Sequence, residues 1–145
     1  MAGDDMNVGL LMFIAHRSME DRIFAHLAES GYDDITVAQG RLAARIGPDG
    51  SRVTELAEQA QVTKQTAGFL VDQLERAGYV QRVPDPSDGR ARLIVLSERG
   101  AKMAAYANSV ADRIEAEWAT HLGVQRMRQL RETMARLREI TDPYA

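Results

Sequence analysis

The tract from Thr54 to Leu96 constrains this chain more than any other. Thr54 reads as an N-cap with Glu55 in the first turn, and Leu56, Ala57 and Ala60 follow, so residues 54–60 are expected to form a short helix. Only Gln61 and Val62 separate it from Thr63, which is placed to cap a second helix over about 64–77. There Ala67, Leu70, Val71 and Leu74 share one stripe, and Gly78 supplies a stop. Two β-rich runs come next, Tyr79 to Val83 and Ala91 to Leu96, on either side of a loop from Pro84 to Arg90 that is dense in turn formers. Two adjacent short helices followed at once by a hairpin make a winged helix–turn–helix.

The flanks are helical. Leu11, Ile14, Ile23 and Leu27 mark a long first helix over 7–29, and Thr36 to Ile46 form a shorter one that ends at the Gly47-Pro48-Asp49-Gly50 turn. Ser97 caps the next helix, where Met103, Tyr106, Val110, Ile114 and Trp118 recur at intervals of three or four. Gly123 interrupts, and Met127, Leu130, Met134 and Leu137 then form a heptad-like seam. The expected fold class is therefore mainly α with a small β-hairpin wing, in a single domain spanning 1–145. It comprises a winged helix–turn–helix lobe over 34–100 (recognition helix about 63–77, wing about 79–96) and a helical dimerisation region of residues 7–30 and 101–140. A chain of 145 residues is too small to cover three apolar stripes by itself, so burial in a second copy, as a homodimer, is expected.

Composition removes several classes of function. With no Cys, disulfide scaffolds, thiolate metal sites and cysteine nucleophiles are excluded. The 45% hydrophobic and 27% charged fractions are those of an ordinary globular chain. The apolar stretch Val8 to Ala15 is far shorter than a membrane span and follows Asp4 and Asp5 rather than basic residues, so no signal peptide and no membrane partner are expected, and the location is read as cytoplasmic. Neither a P-loop, a dinucleotide glycine fingerprint nor His-Glu-x-x-His occurs, and no enzyme activity and no cofactor are expected. His16, Glu20 and His26 are an incomplete ligand set, and no metal site is assigned.

The net charge of −3 conceals a gradient. Residues 1–62 carry 5 cations against 10 anions, residues 63–102 carry 7 against 5, and residues 103–145 carry 6 of each, so the helix–turn–helix and hairpin tract is the net-basic block. A helix and a β-ribbon together suit duplex DNA, whose major groove admits the one while the other reaches the adjacent backbone or minor groove. Opposite the buried stripe of 63–77 stand Gln65, Phe69, Asp72 and Arg76, flanked by Lys64, Thr66, Gly68 and Gln73. The N-terminal part of a recognition helix meets base edges, which favours Lys64, Gln65 and Thr66, with Gln73 as a further candidate. Gly68 admits close approach. An exposed Phe69 either meets thymine methyl groups or lies against Gly68 or another helix. Arg90 is expected at the wing tip with Asp88 positioning it, while Arg92 and Arg82 either contact phosphate or pair with carboxylates; Arg52 and Thr54 are candidates for phosphate at the start of the first short helix.

These residues resemble the MarR (multiple antibiotic resistance regulator) family of winged helix–turn–helix transcription factors. The resemblance runs from Val53-Thr54-Glu55-Leu56-Ala57 to Glu98-Arg99-Gly100, and is most specific in the wing segment Asp85-Pro86-Ser87-Asp88-Gly89-Arg90-Ala91-Arg92-Leu93-Ile94-Val95-Leu96-Ser97, where Ser97 stands in place of the usual Thr. Phe69 departs from the basic or polar residue common there. The resemblance implies a homodimeric DNA-binding regulator, commonly a repressor, on a pseudo-palindromic operator. It also implies a small anionic or phenolic ligand near Met12, Phe13, His16, Arg17 and Tyr106. The alternative is a winged-helix protein-interaction dimer without specific DNA binding.

Overall fold

A computed structural model describes residues 5–144; Asp4, which counts against a signal peptide, lies outside them. Six helices and one hairpin follow in the order α1 (Val8–Glu29), α2 (Val37–Ala43), α3 (Val53–Gln59), α4 (Lys64–Arg76), β1 (Val80–Asp85), β2 (Asp88–Leu96), α5 (Glu98–Leu122) and α6 (Val124–Thr141). They form two compact units. One runs Phe24–Ala107, and the other combines the chain up to Ile23 with the chain from Asn108 onward.

Within Phe24–Ala107, each short helix has a local reason to begin. Thr36 accepts the Gln39 N–H at 3.2 Å while Gln39 Oε1 accepts the Thr36 N–H at 3.1 Å, a capping box that starts α2. Thr63 accepts the Thr66 N–H at 3.0 Å at the start of α4. Between α3 and α4 the chain reverses through Gln61, a non-glycine residue at φ 58° whose Nε2 donates to the Glu58 carbonyl at 2.8 Å. The start of α3 corrects the sequence expectation. Arg52, not Thr54, occupies the N-cap position, no side chain caps the helix, and Thr54 lies exposed in its first turn. The cause is a bridge to the wing: Ser51 N–H donates to Ile94 O at 3.0 Å and Ile94 N–H to Ser51 O at 2.7 Å, which holds residue 51 extended and lets helical geometry begin two residues later.

The hairpin also differs from expectation. Antiparallel pairing runs from Val80↔Leu96 to Pro84↔Arg92 and then shifts to Asp85↔Asp88, so the turn is only Pro86-Ser87 rather than a seven-residue loop. Asp85 causes the tight turn, its Oδ1 accepting both the Ser87 N–H (2.9 Å) and the Ser87 hydroxyl (2.7 Å). Gly89, Arg90 and Ala91 stand between the two pairings as a bulge, and Arg90 thus belongs to β2 and not to a loop.

Leu42, Leu56, Leu74, Val71 and Ile94 are fully buried and form the centre of this unit, each contributing roughly 1.5–3 kcal/mol of transfer free energy. Behind the hairpin, Ser97 caps α5: its Oγ accepts the Gly100 N–H at 3.0 Å and donates to Gly78 O at 2.5 Å. A Cβ on Gly100 would lie 2.0 Å from the Tyr79 carbonyl oxygen, so only glycine admits this approach. The buried Tyr79 hydroxyl donates to Asp34, and the Arg99 guanidinium lies 4.2 Å from the Tyr79 ring centroid while donating to Asp34 at 3.1 and 3.2 Å. Those bonds, the Tyr79 hydroxyl first, hold the Asp34 carboxyl below its ordinary pKa.

In the other unit, Val110 and Ile114 of α5 are buried, and Arg22 grips Glu117 with two bonds of 2.5 and 2.9 Å. Helix α6 has no buried residue. Leu130 and Met134 are exposed, as are Val8 and Leu10 to Ile14 along α1.

Candidate nucleic-acid interface

Helix α4 presents two unlike faces. Ala67, Leu70, Val71 and Leu74 point into the core, while Lys64, Gln65, Thr66 and Phe69 are exposed. The residues expected at base edges therefore share one accessible surface at the N-terminal half of the helix. Thr66 is partly committed, because its hydroxyl oxygen accepts the Thr63 hydroxyl at 2.9 Å. Gln73 is partly committed as well: its Oε1 accepts Gln39 Nε2 at 3.0 Å, which joins α4 to α2. Gly68 has nothing within 4 Å of where a Cβ would stand.

Six arginines of this unit, together with Lys64, fall into two groups. Arg52 gives Asp85 Oδ2 two bonds, of 3.1 Å from Nε and 2.7 Å from Nη2, and comes within 3.9 Å of Asp88. Arg82 reaches from β1 to two carboxylates of α4, Asp72 and Glu75, at 2.6 Å each, and Arg99 is held by Asp34. These three secure the wing and α5 to the helix–turn–helix; Arg52 in particular is engaged inside the fold where phosphate contact was expected. Lys64, Arg76, Arg90 and Arg92, by contrast, are exposed and take no carboxylate partner among the described residues. All four lie on α4 or the wing. Asp88 Oδ1 accepts the Arg90 N–H at 3.1 Å and so shapes the bulge that carries Arg90 outward.

The Ser87 hydroxyl first, then the Arg52 guanidinium and the Ser87 N–H, bring Asp85 down to a pKa of about 2. Sequence reasoning leaves Asp85 out of the candidate set because the residue reads as one turn former among several. Its distance of 33 positions from Arg52 along the chain gives no local signal.

Met12, Phe13, His16 and Arg17, the residues expected near a ligand, are exposed on α1, with His16 Nε2 3.4 Å from Glu20. Tyr106 belongs to the other unit, where its ring centroid is 6.4 Å from that of Tyr32. Among the described residues no group of three or more His, Asp or Glu side chains is placed to hold a metal ion, and no helix is long and apolar enough to cross a membrane.

A capped helix–turn–helix whose second helix shows a polar outer face, tied to a two-stranded wing, defines a winged helix–turn–helix protein. Residues 33–91 match the family model described as MarR family. The transcriptional regulator HosA of Escherichia coli O111:H- is 33% identical over 73 residues, 50% of this chain and 54% of that one, so the chain spans about half the length of this relative. An HTH-type transcriptional repressor of Mycobacterium tuberculosis is 26% identical over 134 residues, 92% of this chain and 95% of that one; a crystal structure of it holds salicylic acid and superimposes with a TM-score of 0.67 over 92% of this chain and 98% of that one, at 27% identity. A crystal structure of MarR gives a TM-score of 0.74 at 26% identity, over 92% of this chain and 96% of that chain. The two curated relatives are named as regulators of transcription, not as enzymes.

Proposed function

We propose that this chain is a DNA-binding transcriptional regulator acting as a homodimer on a pseudo-palindromic operator, with α4 in the major groove and the wing's Arg90 in the adjacent minor groove. The observation that carries this reading is the sorting of cations in the winged-helix unit: Arg52, Arg82 and Arg99 are neutralised by Asp85, Asp72, Glu75 and Asp34, while Lys64, Arg76, Arg90 and Arg92 stay exposed on the two elements that would meet a duplex. A cation left unpaired beside available carboxylates is suited to an external anion, and DNA presents a continuous line of them. Lys64, Gln65 and Thr66 would approach base edges and Arg92 phosphate, with Asp88 holding Arg90 in place.

The exposed apolar residues of α1 and α6 support the dimer, since patches of this kind mark association surfaces. The repressor of Mycobacterium tuberculosis among the relatives supports repression by occlusion of a promoter, and the salicylic acid bound to it supports a small anionic aromatic effector, for which Arg17 is an exposed cation on α1.

The test is binding of the protein to the duplex upstream of its own coding sequence, followed by fluorescence anisotropy across roughly 50 to 200 mM salt. Affinity is expected to fall steeply and linearly on logarithmic axes. Salt-insensitive or absent binding to any duplex, with the protein folded and dimeric, would turn the assignment to a winged-helix protein-interaction dimer.

A further inference from the structure

Two neighbouring residues of α4 have no use inside the chain. Phe69 is 58% exposed, and among the described residues it is the one large hydrophobic side chain of the Phe24–Ala107 unit that stands so far out; the others of its kind lie on α1, α6, the α5–α6 junction or at Tyr144. Gly68, before it, occupies a helix interior, where glycine is disfavoured, yet neither a positive φ nor a close neighbour requires it: a Cβ there would meet nothing within 4 Å. An exposed ring and a bare backbone position, both unfavourable for the isolated fold, point outward together.

The chemistry of the outward surface narrows what they meet. Phe69 lies one turn beyond Gln65 on the same face, about 6 Å along the helix axis and so within two base-pair steps of ~3.4 Å. Lys64 and Arg76 stand free near the two ends of the same helix, which gives the ring a cationic surround. A phenyl ring neither donates nor accepts a hydrogen bond, and the thymine C5-methyl is the one apolar group that the bases present in the major groove.

We infer that Phe69 reads a thymine C5-methyl in each half-site, with Gly68 leaving room for the strand that carries it, so that sequence preference has a component specific to the methyl group. This deepens the DNA-binding reading and rests on it.

The experiment begins by selecting the preferred duplex from a randomised library with the full chain. Each thymine of that duplex is then replaced singly by deoxyuridine, which keeps every hydrogen-bonding atom and loses only the methyl. Wild type is expected to lose about threefold to tenfold in affinity at one thymine per half-site. Phe69→Ala is expected to bind thymine and deoxyuridine duplexes equally, and Phe69→Leu to retain part of the discrimination, both melting like wild type because the ring is exposed. If wild type selects a duplex but shows no Phe69-dependent deoxyuridine effect, the methyl reading is wrong while DNA recognition stands. If no sequence is selected, the DNA-binding reading itself falls. A change of oligomeric state in Phe69→Ala would assign the ring to protein association and overturn the inference.

Discussion

Arg52 and Asp85 form a two-bond pair onto a single carboxylate oxygen, Oδ2, at 3.1 and 2.7 Å, while the other oxygen of Asp85 is taken by Ser87. One carboxylate thus fixes both the wing turn and the entrance to α3. Its pKa of about 2 lies below the ordinary 3.8, so the folded state favours the charged form. The resulting stability is full above about pH 4 and is lost as pH falls towards 2. Asp85→Asn is expected to lower Tm by a few degrees at neutral pH and to flatten this acid limb, which thermal melts carried from neutral pH down to about pH 2 would reveal; an unchanged acid limb would show the pair to be idle.

Arg82 and Arg90, both in the hairpin, are expected to respond in opposite ways. Arg90→Ala should weaken DNA binding and reduce the salt slope by about 0.9 for each phosphate that is no longer neutralised, with two copies acting per dimer, and should leave Tm unmoved. Arg82→Ala should lower Tm instead, because it releases Asp72 and Glu75. Paired melting and anisotropy data decide the matter: a reversal of the two phenotypes would refute the division between structural and DNA-facing arginines.

Gln65→Ala is expected to relax preference at one base pair per half-site, at a cost of about 1–3 kcal/mol on the cognate duplex, with non-specific affinity retained. Competition against single-position variants of the duplex measures this. Uniform weakening across all of them would make Gln65 a backbone contact.

For the dimer, Leu130→Glu and Leu137→Glu put charge into the α6 seam, where Leu130 is 38% exposed in the single chain. Sedimentation of wild type at low micromolar concentration should show a dimer, and both variants should give monomer or unfolded chain. A folded wild-type monomer would remove the dimeric reading.

Gly100→Ala is expected to be the most damaging small substitution in the winged-helix unit, since its new methyl would fall 2.0 Å from Tyr79 O, a backbone atom with no rotamer to yield. A loss of Tm of roughly 5 °C or more, or failure to fold, should follow. Gly68→Ala, with open space around it, should raise Tm slightly, and it serves as the control in the same melts.

What the sequence made legible was local. Thr63 and Ser97 as caps, Gly78 as the stop after α4, Gly123 as the break between α5 and α6, and the inward stripe of α4 follow from residues within a turn of each other, and all appear in the structure. What it hid was set by pairings between distant segments. Ser51 joining Ile94 moved the start of α3 away from Thr54, and Asp85 binding Ser87 and Arg52 shortened the wing turn around residues that read as a loop. Gln73 shows the same limit in the candidate site, because a helical wheel places it on a flank while only the position of Gln39 decides where its amide goes.

The bridge from Ser51 to Ile94, with Arg52 clasping Asp85 just beyond it, has a mechanical result. These contacts hold the wing to the entrance of α3, and Arg82 ties it to Asp72 and Glu75 of α4, so on the proposed reading the spacing between the bases that α4 would touch and the groove that Arg90 would enter is set at folding. An effector that acts on such a lobe can carry it bodily but cannot retune its alphabet; its influence would be felt in how far apart two half-sites must stand, and not in which letters each half-site spells.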